Sequence, residues 1–131
     1  MARVLVIDDD ELVRQTLRRM LEKGGHEVVT AINGRYGLSR FEDDGGIDLV
    51  VTDILMPEME GLETVRSLRQ LSPGLPILVI TGDPSGGNWV GTGPPPDYLR
   101  MAQLLGASGT LRKPFTGPQL LAAIAACLPP P

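Results

Sequence analysis

Five short apolar runs punctuate the chain, at positions 4–7, 28–31, 49–52, 77–80 and, more weakly, 109–111. They are continuous rather than alternating, the pattern of strands covered on both faces. Between them, apolar positions recur at helical spacing. Leu12, Val13, Thr16, Leu17, Met20 and Leu21 follow the i, i+3, i+4 rule, and Gly24-Gly25 supplies a stop. Asp10 stands where an N-cap would also complement the helix dipole. Further helices are predicted at 34–43, around Leu38 and Phe41, and at 62–71, after Gly61. Another is predicted at 98–105, closed by Gly106, and a last one at 118–128, which opens on a proline in its first turn. Strands and helices that alternate five times predict an α/β fold, a five-stranded parallel doubly wound sheet between two helical layers.

In such sheets the functional crevice lies at the carboxyl ends of the strands. The first run feeds directly into Asp8-Asp9-Asp10, and the third into Asp53. Thr81 and Lys113 fall at or just past the ends of the fourth and fifth. Carboxylates about 5 Å apart repel by roughly 3 kcal/mol per pair at an effective dielectric near 20. A proton or a divalent cation relieves that repulsion, and hard oxygen ligands with open water positions favour Mg²⁺. A nucleophilic carboxylate beside Mg²⁺, a lysine and a threonine is a phosphoryl-transfer arrangement with its charge stabilisation in place.

Composition narrows the classes. The 131 residues suit one domain, with 42% hydrophobic and 21% charged residues. A net charge of −4 without a long basic run argues against nucleic acid or an anionic membrane as direct partner. A single cysteine, Cys127, excludes a disulfide framework and fits a reducing cytoplasm. The few apolar residues before the three aspartates predict no secretory signal, and runs such as 77–80 are too short to span a bilayer. A soluble, cytoplasmic protein is expected.

The chain resembles the response-regulator receiver domain of two-component signalling over nearly its whole length. Asp8-Asp9 after the first strand and Asp53 after the third carry the resemblance. Met56-Pro57-Glu58-Met59-Glu60-Gly61, Thr81-Gly82 and Lys113-Pro114-Phe115 extend it. The resemblance implies a flavodoxin-like (βα)5 receiver over residues 1–128, with 129–131 as a proline tail or the start of a linker. It implies that Asp53 accepts a phosphoryl group from a phosphohistidine on a sensor histidine kinase or histidine phosphotransfer protein. Asp9 would ligate Mg²⁺ directly, Asp8 would hold a metal-bound water, and the backbone carbonyl of Leu55 would add another ligand beside Asp53. Lys113 would bind a phosphoryl oxygen, the Lys113-Pro114 bond would be cis, and Thr81 would report the modification to a downstream protein or output domain.

Two features depart from the family pattern. The position three residues before Lys113 usually holds an aromatic switch and here is Thr110. Residues 82–96 form an unusually long loop with five glycines, four prolines and the only tryptophan, Trp89. It is expected to be a partner contact or a lid, and Asp83 within it to orient an attacking water. Three other features receive plainer readings. Arg14, Arg18 and Arg19 are read as a solvated helix face, His26 as an exposed turn residue and Cys127 as a packed thiol. Two other functions compete. A receiver-like scaffold that is never phosphorylated is disfavoured because all the site residues are present. A Mg²⁺-dependent phosphatase with an aspartyl-phosphate intermediate needs a second acid just after the nucleophile, where Ile54-Leu55 stand.

Overall fold

The computed structural model describes residues 1–54, 60–81, 100 and 103–129. Strands β1 (Arg3–Ile7), β2 (Glu27–Ala31), β3 (Leu49–Asp53), β4 (Ile77–Thr81) and β5 (Gly109–Arg112) pair in parallel in the order β2-β1-β3-β4-β5. Helices α1 (Glu11–Lys23), α2 (Gly34–Asp44), α3 (Glu60–Leu71) and α4 (Gly117–Cys127) cover the sheet. The expected strands and the helices around 12–21, 34–43, 62–71 and 118–128 are all present, most with slightly different ends. Of the helix expected at 98–105, Arg100, Gln103 and Leu104 are helical, and residues 98, 99, 101 and 102 lie outside the described set.

Because successive side chains on a strand point to opposite faces, the strands divide the core in two. Leu5, Ile7, Val50, Ile77 and Val79 join Leu62, Val65 and Leu68 of α3 on one face. Val4, Val6, Leu49, Val51, Leu78 and Ile80 join Leu17 and Leu21 of α1 and Leu120 and Ile124 of α4 on the other. All eleven of these strand residues are essentially inaccessible to solvent, as continuous apolar runs require.

Local chemistry sets where the helices begin. The Asp10 carboxylate accepts hydrogen bonds from the Leu12 and Val13 N–H groups, and Asn33 caps α2 by accepting from Tyr36 N–H. Thr116 and Gln119 form a reciprocal capping box at α4, with a proline in its first turn. Helix α2 stops at Gly45, whose φ of 71° is left-handed and costs a glycine nothing. At the far end of the sheet from the acids, Arg3 clamps Asp44 through Nε and Nη2 and reaches Glu27 through Nη1. His26 differs from its expected exposed turn. It is half-buried, and its Nδ1 accepts a 3.0 Å hydrogen bond from the Ala2 N–H, tying the start of the chain to the start of β2.

Candidate functional site

Register and parity bring the acids together. β1 and β3 are adjacent, and their last paired residues are Ile7 and Thr52. One step further on, Asp8 and Asp53 stand side by side, and alternation sends both toward the face covered by α1 and α4. Both are buried, at 2% and 8% exposure, despite being strand-end carboxylates. Lys113, just past β5, donates from Nζ to Asp53 Oδ2 at 2.9 Å. The ion pair spans 60 residues of sequence, so only the completed sheet can form it. Lys113 and Pro114 are joined by a cis peptide bond, as the resemblance implied.

The Asp8 carboxyl is pushed up from the usual carboxylate range to about 7. Burial is the main cause, and the neighbouring Asp53 charge and a hydrogen bond between the two carboxyl groups add to it. The Asp10 N–H, which donates to Asp8 Oδ1 at 2.9 Å, and the Lys113 charge pull the other way. Two buried acids facing one ammonium leave the site net negative when both are ionised. A proton on Asp8 balances it, and a divalent cation more than offsets it. The donor set therefore fits Mg²⁺, although among the described residues no three His, Cys, Asp or Glu side chains converge to hold a metal by themselves. Asp9 is exposed next to Asp8 and does not join a three-carboxylate cluster with Asp8 and Asp53.

The remaining expectations divide between backbone and undescribed residues. Thr81 is the last residue of β4, paired in register with Arg112, which puts its backbone at the same edge as Asp53; its side chain is outside the described parts. Leu55, Asp83 and Trp89, with the whole of 82–96, lie outside the described residues. Thr110 is half-buried within β5, in register with Val79.

Two residues matter more than their sequence context indicated. Gly61, in the first turn of α3, approaches the end of β3 so closely that a Cβ would lie 2.5 Å from Ile54 Cα and 2.7 Å from the Asp53 carbonyl oxygen. Only glycine lets α3 seat directly behind Asp53. Arg14 is half-buried, unlike Arg18 and Arg19, and its Nη1 donates to the Asp8 carbonyl oxygen at 2.7 Å. Three arginines on one amphipathic helix look alike in sequence. The end of β1 decides which of them finds a partner.

Comparison with known proteins identifies the family and the fold. The model of the response regulator receiver domain matches residues 4–125. Response regulator MprA of Mycolicibacterium vanbaalenii is 41% identical over 127 residues, covering 96% of this chain and 50% of that protein. The MprA protein of Mycobacterium avium is 39% identical with the same coverage, so the chain spans about half the length of the curated relatives it matches. Among solved structures, chemotaxis protein CheY4 of Vibrio cholerae superposes with a TM-score of 0.81 at 32% identity, covering 98% of this chain and 99% of that one. A receiver domain protein from Clostridium thermocellum gives 0.79 at 34% identity, with 97% and 94% covered. The chain belongs to the response-regulator receiver domain family of two-component signalling.

Proposed function

We propose that Asp53 is the phosphoacceptor of this receiver, taking a phosphoryl group from a phosphohistidine on a partner kinase or phosphotransfer protein. The observation that carries the reading is the 2.9 Å ion pair between Lys113 and a buried Asp53 that stands beside a second buried acid, Asp8. In the transfer, an Asp53 oxygen forms a bond to phosphorus as the phosphorus–nitrogen bond of the donor breaks. The imidazole leaves with that electron pair and takes up a proton. Lys113, already beside Asp53, supplies positive charge where the equatorial phosphoryl oxygens gather it. Asp8, Asp9, Asp53 and the Leu55 carbonyl would hold Mg²⁺. When bound, the ion offsets the acids so that an anionic donor can approach.

Two further features support a protein donor and a signalling output. The rim beside Lys113 is an apolar groove of about 340 Å³ lined by Leu12, Val13, Met20, Pro114 and Phe115, and Leu12 is 72% exposed. This is contact chemistry suited to a macromolecule rather than a small metabolite. The residue after Asp53 is Ile54, buried in the core with α3, so no second acid stands there to protonate a leaving group as a phosphatase would need. We infer a signalling phosphoacceptor that promotes its own phosphorylation and dephosphorylation, with Thr81 reporting the modification outward.

The test is labelling with acetyl phosphate and Mg²⁺, comparing wild type with Asp53→Asn. Acid-stable, base-labile phosphate on wild type alone is expected. Equal labelling of both overturns Asp53 as acceptor, and no labelling of either favours the unphosphorylated scaffold.

A further inference from the structure

Where β1 ends, the backbone needs a substitute for its ladder. The last register pairs of β1 are Ile7 with Ala31 and Ile7 with Thr52, and the Asp8 N–H still reaches the Ala31 carbonyl at 3.2 Å. The Asp8 carbonyl is bonded instead by the guanidinium of Arg14, from the second turn of α1. That carbonyl belongs to the peptide joining Asp8 to Asp9. Holding its plane restricts the backbone torsions on either side of it, and so the paths along which the Asp8 and Asp9 side chains leave the chain. The arrangement closes on itself. Arg14 N–H bonds the Asp10 carbonyl at 3.0 Å, and Asp10 N–H bonds Asp8 Oδ1 at 2.9 Å. Helix α1 and the acidic loop are thereby one hydrogen-bonded unit, in which the Arg14 side chain reaches back six residues to the end of β1.

We propose that Arg14 is a positioning residue for phosphoryl acceptance, holding the Asp8-Asp9 peptide so that Asp8 faces Asp53 and Asp9 stands beside it at the exposed rim. The inference rests on the reading of Asp53 as acceptor. It differs from a fold-stabilising role because it acts on the aim of two charged ligands and not on core burial. Partners that orient metal ligands from behind commonly control affinity about ten-fold or more.

The test compares wild type, Arg14→Lys, Arg14→Met and Arg18→Met, the last altering an exposed arginine paired with Glu22. Mg²⁺ affinity is measured by isothermal titration calorimetry, and acetyl-phosphate labelling is followed across a Mg²⁺ titration. Arg14→Met is expected to weaken Mg²⁺ binding by about ten-fold. It should slow labelling at low Mg²⁺ and recover much of the rate at saturating Mg²⁺. Arg14→Lys, which keeps the charge and one donor, falls between, and Arg18→Met matches wild type. If Arg14→Met does not fold, the Lys variant carries the test, since it too must shift the Mg²⁺ dependence. Wild-type Mg²⁺ affinity in the Arg14 variants overturns the proposal while leaving Asp53 standing. Labelling that survives Asp53→Asn overturns the reading of the acceptor instead, whatever Arg14 does.

Discussion

At the scale of single residues, the site is a charge balance written into two buried carboxyls and one lysine. Asp8 shows its sign. Its folded-state pKa lies above its ordinary value, so the folded chain holds a proton that the unfolded chain has already released. That contribution to stability is fully present below about pH 4 and is lost as pH rises through about 7. Without divalent cations, the urea midpoint should therefore fall between pH 5 and 8, by an amount on the order of a few kcal/mol of unfolding free energy. Asp8→Asn should flatten that slope. A wild-type midpoint that rises over this range contradicts the assignment. Lys113→Ala removes the cation bonded to Asp53, and the initial rate of labelling by acetyl phosphate should drop about 100-fold. A rate within a factor of two or so of wild type would show that another group carries the phosphoryl charge. The acids were legible in sequence because each ends an apolar run. The role of Arg14 was not, because helical spacing does not say which arginine meets a strand end. His26 was misread for a similar reason: its partner, the Ala2 N–H, lies 24 residues away.

Elements place these residues, and their junctions are where single changes act on the site from behind. Gly61→Ala puts a methyl group against the backbone of Ile54 and Asp53, atoms that cannot yield as a flexible side chain would. Overpacking of this kind costs about 1–3 kcal/mol. Here it also pushes α3 away from the strand that carries Asp53. Gly61→Ala is therefore expected to lower both the denaturant midpoint and the labelling rate. Thr116→Ala makes the contrast. It removes the α4 capping box, for about 1 kcal/mol of stability, and should leave the labelling rate of the folded protein unchanged. Equal effects of the two substitutions on labelling would mean that seating behind Asp53 is irrelevant. The helix starts were readable from Asp10 and from the proline of the last helix, since capping is local chemistry. The ends of the strands were less so: β3 includes Asp53 and β4 includes Thr81 because pairing with neighbours extends them beyond the apolar run.

For the whole molecule, five parallel strands between two apolar layers bring Asp8, Asp53 and Lys113 to one edge from distant parts of the sequence. The order of apolar runs made that fold legible, because continuous strands alternating with helices have few other ways to bury both faces. The relay outward was not legible to the same degree. Thr110 replaces the usual aromatic, and the loop at 82–96 is longer than the family pattern leads one to expect. No helix among the described residues is long and apolar enough to cross a membrane. A ligand that binds only the folded state raises its stability, by about 2.7 kcal/mol at 100 times its dissociation constant. Saturating Mg²⁺ should accordingly raise the thermal midpoint of wild type near pH 7.5 and raise that of Asp53→Asn less. One measurement locates the phosphoryl group directly. Wild type is phosphorylated with acetyl phosphate and Mg²⁺, reduced with borohydride, which converts an acyl phosphate to an alcohol, and sequenced by peptide mass spectrometry. Homoserine at position 53 and nowhere else is the predicted result, and unmodified Asp53 with reduction at another carboxylate would contradict it.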